Sequence, residues 1–324
     1  MHSRRRFIHA AALAAIGGGL PPAALAQPYP SRPVRLIVPA SAGTQIDVAA
    51  RFMAEAVSRR MHASIVVENR AGAGGMLGAE LVAQAEPDGY TLLVAGIPLY
   101  LSRWLSDAKA GYDPVKDFEP VAMLCSSPLG IAVAADSPYR TLADLVGAMR
   151  QAPDRITYSS GGDGSAAHIC AVMLNDMTKT AAKHIPYKGN TPAVTDLAGG
   201  RVDFTCQGAG GILPLVKAGK LRALAVTNDQ RWDVIPDVPT VVEAGVPGFD
   251  LTGWIGVMAR AGTPASVVQK LSDAFVQAAG TPEFKSFCDQ QQMFVQVQDH
   301  RQFAASVPGY AAQLKHLALL ARKG

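Results

Sequence analysis

The sequence predicts an α/β fold with two domains joined by two crossing strands. Three observations carry this. Short apolar strands alternate with helical periodicity from Arg35 to Ala95, with connections suited to a parallel sheet. A unit of strand, small-residue loop and helix N-terminus occurs twice, at Arg35–Arg51 and again at Ile156–Met177. Two extended apolar segments, Gly130–Ala135 and Gly253–Ala259, are each followed by a Ser-Pro or Thr-Pro step and a helix. They read as equivalent crossings between domains, one in each direction.

Taken in order, Leu36, Ile37 and Val38 form a buried strand that Pro39 stops. Ala40 to Gly43 are small and admit close approach to the backbone. Thr44 is an N-cap, and Asp47 three residues later completes a capping-box pattern. Val48, Phe52, Met53, Ala56 and Val57 recur at helical spacing. The free amides opening that helix favour a negative group in the loop. Asp47 serves either as the helix cap or as a ligand contact.

Ser64–Glu68 is the second strand, and Asn69–Gly78 is a Gly-rich loop feeding a helix through Glu86. It is no dinucleotide fingerprint: after Gly72 and Gly74 the third glycine position holds Leu77. Tyr90–Ala95 is the third strand, and Ala110–Pro120 is irregular. Val121–Cys125 and Gly130–Ala135 read as two extended pieces separated by Ser126, Ser127 and Pro128. A helix follows and ends before Pro153.

The second copy of the opening unit has the strand Ile156–Tyr158, the loop Ser159–Ser165, and a helix with Ile169, Cys170, Met173, Leu174 and Met177 on its apolar face. Its serine hydroxyls and backbone amides are donors. Further on come a helix from Thr191 to Ala198, a strand at Gly200–Thr205, a loop at Gly208–Gly211 with a helix to Ala218, and a strand at Leu221–Thr227. Thr240 and Glu243 match a second capping box, and helices from Ala265, Pro282 and His300 finish the chain.

The N-terminus reads as a targeting leader. Arg4, Arg5 and Arg6 precede an apolar stretch from Ala11 to Leu20, too short to span a membrane, and Ala24-Leu25-Ala26 is a small-x-small cleavage site. Residues 1–26 are expected to be removed, by the twin-arginine or the general secretory route, both of which lead out of the cytoplasm. The 30 Lys and Arg against 26 Asp and Glu lose three arginines with the leader, so 27 face 26. That balance gives nucleic-acid binding no support.

The four cysteines, Cys125, Cys170, Cys206 and Cys288, lack metal-type spacing. Cys170 and Cys206 are the pair to test for a bridge, against buried free thiols. No metal or cofactor is expected. The domains are read as 27–126 with 227–324, and 127–226. Two such domains make a hinged clamp, with helix N-termini from both facing one cleft, which suits a small anion. The loops hold many donors and few acids or bases, which favours binding over chemistry.

Eight motifs in fixed order carry a family resemblance: Arg35–Pro39 with Ala42, Gly43 and Asp47; Val67–Gly75; Pro87–Leu93; Tyr112–Phe118; Tyr158–Gly161; Pro186–Gly189; Lys217–Val226; and Pro236–Thr240. Together the chain resembles the tripartite tricarboxylate transporter substrate-binding family, the Bug or TctC type, over essentially its mature length. The resemblance implies a periplasmic type II solute-binding protein fold, a monomer that captures a small-molecule carboxylate and hands it to membrane permease subunits. It implies that the two loops Pro39–Asp47 and Ser159–Ser165 grip the carboxylate, partly through water. The expected ligand set is Ser41, Ala42, Gly43, Thr44, Asp47, Ile97, Leu99, Ser159, Ser160, Gly161, Gly164, Ser165, His168, Tyr187 and Gln207.

The sequence departs from the family pattern at three of these positions. Thr44 stands where a glycine is common, Leu99 where a histidine is frequent, and Gln207 where an aspartate is frequent. Loss of that acid removes a charge that holds an ammonium or repels a second carboxylate. An aromatic or otherwise apolar carboxylate, or a dicarboxylate, is therefore expected rather than an amino acid. Trp254 either stacks on an aromatic ligand or sits in the hinge core. Two rival readings remain: a subunit presenting ligand to a membrane kinase, and a serine hydrolase using Ser159 or Ser160. The hydrolase reading lacks a Gly-x-Ser-x-Gly sequence and an evident His–acid partnership.

Overall fold

A computed structural model describes residues 29–105 and 111–322; the leader and its cleavage site lie outside the described residues. The first strands are β1 (Val34–Val38), β2 (Ile65–Asn69) and β3 (Thr91–Ala95), with α1 (Gln45–Met61) and α2 (Met76–Ala83) between them and α3 (Ile97–Leu105) after. β1 pairs in parallel with β2 on one side and β3 on the other. Val34, Leu36, Ile37 and Val38 are fully buried, as expected for a parallel strand covered on both faces.

The chain then runs through β4 (Phe118–Ala134), α4 (Leu142–Gln151), β5 (Thr157–Ser160), α5 (Ala166–Thr178), β6 (Lys183–Pro186), α6 (Asn190–Ala198), β7 (Phe204–Gly208), α7 (Ala209–Lys217) and β8 (Leu221–Val226). It finishes with β9 (Thr252–Arg260), α8 (Ala265–Ala279), α9 (Pro282–Gln291), β10 (Phe294–Gln298) and α10 (His300–Ala321). Among the described residues the strands form one sheet in the order β2-β1-β3-β9-β4-β7-β5-β6, with β8 and β10 also on β4. β5 is parallel to both β6 and β7, which repeats the parallel arrangement of the first three strands.

β4 is the joint. Its first part, Phe118 to Pro128, pairs antiparallel with β9, and its second part, from Leu129, pairs with β7 and β8. The sequence reading of two separate pieces is thereby corrected. Ser126, Ser127 and Pro128 continue the strand opposite Trp254, Gly253 and Thr252. Pro128 is tolerated because the strand changes partners there, so a missing N–H costs no regular ladder bond. Gly253 lies so close to this strand that a Cβ there would sit 2.7 Å from the Ser127 carbonyl oxygen.

Trp254 is 4% exposed and packs edge-on against Phe303 at 5.1 Å, with Tyr100 and Tyr310 at 6.3 and 6.1 Å. Of the two readings left open, the hinge core is the observed one. α10 packs on α3, α5 and β4, so one long helix leans on both ends of the joint. Asp299 caps it with a reciprocal capping box to Gln302.

Other boundaries also move. β10 was not anticipated, because Phe294–Gln298 carries only a weak alternation at a sheet edge. Residues 200–203 turn rather than extend: Gly200 has φ +67, and Asp203 accepts from the Thr157 amide and hydroxyl. The helix expected after Gly211 begins at Ala209. The Thr240 and Glu243 capping pair forms, yet it closes a turn and not a helix.

The four cysteines are buried free thiols. Burial pushes the Cys170 thiol well up, and a hydrogen bond with Cys206 pushes it further. The paired geometry agrees with the contact inferred from sequence, without the bond. Alkylation of the unfolded mature protein without reductant is expected to label four thiols; a mass gain for only two labels would show a bridge.

Candidate functional site

The first loop, Pro39 to Thr44, opens α1 at the edge of β1, and residues 41–44 are exposed. Its shape is set by Asp47, which is 2% exposed. The Asp47 carboxylate accepts from the Gly43 amide at 2.8 Å, from Arg51 Nε at 3.1 Å and from Asn69 Nδ2 at 2.8 Å. Asn69 also donates to the Ala40 carbonyl, so loop, helix and β2 are tied together. Gly43 adopts φ +81, a conformation natural to glycine.

The expected capping box is corrected. Thr44 is the N-cap, but its side chain makes no cap hydrogen bond. Its hydroxyl turns back to the Ser41 carbonyl at 2.8 Å, and Asp47 binds the Gly43 amide instead. Burial alone would raise the Asp47 pKa. The hydrogen bonds from Arg51, Gly43 and Asn69, with the Arg51 charge, overcome this and hold it below the usual carboxylate value.

The second loop joins β5 to α5. Ser165 caps α5, accepting from the His168 amide at 3.3 Å. Gly162 and Gly164 have φ +115 and +75, and a Cβ on Gly161 would sit 2.3 Å from Asn190 Oδ1 at the start of α6. Two helix N-termini therefore converge on one loop. Ser159 and Ser160 are fully buried and face inward. The Ser159 hydroxyl donates to the Ala193 carbonyl, and Ser160 Oγ bonds the Gly162 amide, the Gly162 carbonyl and His184 Nε2. These two serines shape the loop from within, and Ser165 at its end is half-buried.

Ser160, His184 and Asp163 form a Ser–His–acid chain, with Oγ 2.6 Å from Nε2 and Nδ1 3.4 Å from Asp163 Oδ1. The partnership missing from the sequence therefore exists. It is not a nucleophile's geometry, because an ester cannot reach a hydroxyl on a residue with no exposed surface. His184 also lies between Tyr158 and His168, its ring 4.8 and 4.0 Å from theirs. Burial pushes His168 down to about 4, helped by His184, and lowers His184 as well. Both rings are neutral at ordinary pH.

A cavity of about 720 Å³ lies between the two halves of the molecule. Asp163, Gly164, Ser165 and His168 line it from the second loop, facing Ala73, Gly74 and Met76, Pro98, Ser102 and Leu105 of α3, and the end of α10. The structure thus brings together Gly164, Ser165 and His168 of the expected set. Ser41 to Thr44 do not line this cavity; their loop lies behind Pro39, which touches Gly75 and Gly78 of the facing wall. Ile97 and Leu99 are buried, 6% exposed each, on the α3 turn whose Pro98 faces the cavity.

Tyr187 is half-buried, its hydroxyl donated to Asp196 and its amide to Ser160. Gln207 is 2% exposed at the β7 end opposite Gly130, and its Nε2 has no hydrogen-bond partner. The sequence reading missed Ala73, Gly74 and Ser102. The signal was present: four positive φ values run from Gly72 to Gly75, and that glycine density was read only as a turn and a packing contact. The packing half was correct, since a Cβ on Gly78 would meet Pro39 at 2.9 Å.

Comparison with known proteins agrees with this architecture. Residues 49–317 match the family described as the tripartite tricarboxylate transporter family receptor. A UPF0065 protein of Agrobacterium vitis is 39% identical over 256 residues, spanning 78% of this chain and 73% of its own. The solved structure of Rpa4515 from R. palustris with adipate is 32% identical at a TM-score of 0.75, over 90% of this chain and 98% of that one. MatC from Rhodopseudomonas palustris with bound malate is 30% identical at a TM-score of 0.73, over 90% and 100%. With that family match and those structural similarities, the chain belongs to the tripartite tricarboxylate transporter receptor family and has its two-domain type II solute-binding fold.

Proposed function

We propose that the protein is a periplasmic receptor that captures a small dicarboxylate, or an apolar carboxylate, between its two halves and delivers it to a tripartite-type membrane permease. The observation that carries this is the second loop, where the α5 N-terminus and Ser165 face an interdomain cavity large enough for such a molecule. The malate and adipate held by two structural relatives support the ligand class. The leader supports the compartment, and the domain division at 126–127 and 226–227 remains part of this proposal.

Within this reading, the first loop supplies the amides of Ser41 and Ala42 when the halves close, the Gly43 amide being held by Asp47. Gln207 Nε2, a buried donor without a partner, supports a contact with ligand or its bound water. Calorimetric titration with adipate, malate, benzoate and aspartate tests it. A dicarboxylate or the aromatic acid is expected to bind and raise the melting temperature, because binding to the native state alone adds stability. Gln207→Asp is expected to weaken a dianion by about tenfold or more, since it places a second negative charge at the site. Tight binding of aspartate alone would refute the ligand class.

A further inference from the structure

We propose that the interdomain cavity selects carboxylates with an unsubstituted carbon chain over the matching hydroxy acids, with Met76, Pro98 and Leu105 as the specificity-determining wall. This rests on the receptor reading above and narrows its ligand class. The cavity of about 720 Å³ has two unlike sides. The side formed by the second loop offers donors. Ser165 Oγ accepts from the His168 amide, which leaves the hydroxyl proton for a ligand beside the first amides of α5. His168 Nδ1 accepts from the Gly164 amide at 3.1 Å, so its ring proton is on Nε2 and the neutral ring is a donor. This side suits one carboxylate group.

The facing side gives a hydroxyl no such partner. Met76, Pro98 and Leu105 line it with apolar side chains, and Pro98 has no amide proton. The polar atoms between them are already engaged. Ser102 Oγ donates to the Gly74 carbonyl, and Gly74 lies so close over that oxygen that a Cβ there would stand 2.6 Å from it. The Ala73 carbonyl accepts from the Met76 amide. The two charged lining residues, Asp163 and Arg322, are exposed, and Arg322 Nη1 donates to the Trp104 carbonyl at 3.4 Å. Leu105 brings the apolar side up to the donors, since a Cβ on Gly164 would stand 2.7 Å from Leu105 Cδ1. A carboxylate seated at Ser165 thus sets its next carbon against Leu105. A hydroxyl on that carbon gives up its water there and gains no hydrogen bond in exchange.

Calorimetric titration of the mature protein with matched pairs of acids tests this. The pairs are succinate and malate, adipate and 2-hydroxyadipate, and phenylacetate and mandelate. Each pair differs by one hydroxyl on the carbon next to a carboxylate. In every pair that binds, the unsubstituted acid is expected to bind about tenfold tighter or more. Leu105→Asn supplies an amide partner for the hydroxyl and should bring that ratio toward one. Pro98→Ser changes an exposed position of the same wall and should also lower the ratio, so the test survives should Leu105→Asn fold poorly. Equal affinities within the pairs, or a ratio unchanged in folded Leu105→Asn and Pro98→Ser, overturn the selectivity and leave the receptor reading standing. Failure of all the acids to bind overturns both.

Discussion

Trp254→Ala is expected to lower the unfolding free energy by about 3–5 kcal/mol, the usual cost of emptying a large aromatic site in a close-packed core. The indole lies where β9 crosses β4, and its ring meets side chains from α3 and α10. Little can collapse into the space. Gly256 is already so tight that a Cβ would stand 3.0 Å from the Phe303 ring, and Gly96 approaches the Trp254 carbonyl within 2.8 Å of its own Cβ position. The backbone on both sides is thus fixed, and the cavity persists. Urea unfolding read by circular dichroism measures the loss, and a melting shift of roughly 10 °C should accompany it. Trp254→Phe keeps most of the ring volume and the edge-on contact with Phe303, and it removes an indole N–H that has no partner. Its cost is therefore expected to be well below that of alanine. A large loss in Trp254→Ala with a small one in Trp254→Phe identifies packing as the cause.

The legible parts of this fold were those where the local pattern and the tertiary role agree. Val34–Val38, Thr91–Ala95 and the α5 face are short apolar runs or helical stripes that end in a packed core, and periodicity locates them. β4 was broken in two because Ser126, Ser127 and Pro128 look like a turn. What holds them extended is β9, which is more than a hundred residues away in sequence and invisible locally. β10 failed for the same reason, since its pairing to β4 supplies what five weakly apolar residues lack.

At the site, both loops were found as strand-to-helix junctions with small residues. The direction of each side chain was not legible. Ser159 and Ser160 look like donors to a ligand, yet the Ala193 carbonyl and His184 hold their hydroxyls in buried hydrogen bonds. His184 lies nineteen residues past Ser165, on the neighbouring strand β6, and only the parallel pairing Tyr158 with His184 brings it to the loop.

Asp47 is one carboxylate that ties the first loop to α1 and β2. Removing it in Asp47→Ala leaves the Gly43 amide, Asn69 Nδ2 and the Arg51 guanidinium without their shared acceptor. A loss of about 2–3 kcal/mol is expected, the range for a broken buried polar network whose cation reaches solvent. Carboxylate affinity should fall by about tenfold as well, because the Ala40–Thr44 backbone then samples many shapes and must be ordered on binding. The pH dependence separates this charge effect from simple truncation. The folded-state pKa of Asp47 lies below its ordinary 3.8, so its contribution is complete above the unfolded value and is lost as pH falls through the folded one. The stability gap between wild type and Asp47→Ala should thus be widest from about pH 5 upward and narrow in more acid solution. Asp47→Asn keeps an acceptor for the Gly43 amide and gives up only the charge, so its loss should be smaller and nearly independent of pH. A gap that stays constant into acid for Asp47→Ala would show that the carboxylate acts by shape alone. The loop would then be set by the Thr44 hydroxyl on the Ser41 carbonyl and by Asn69 on the Ala40 carbonyl.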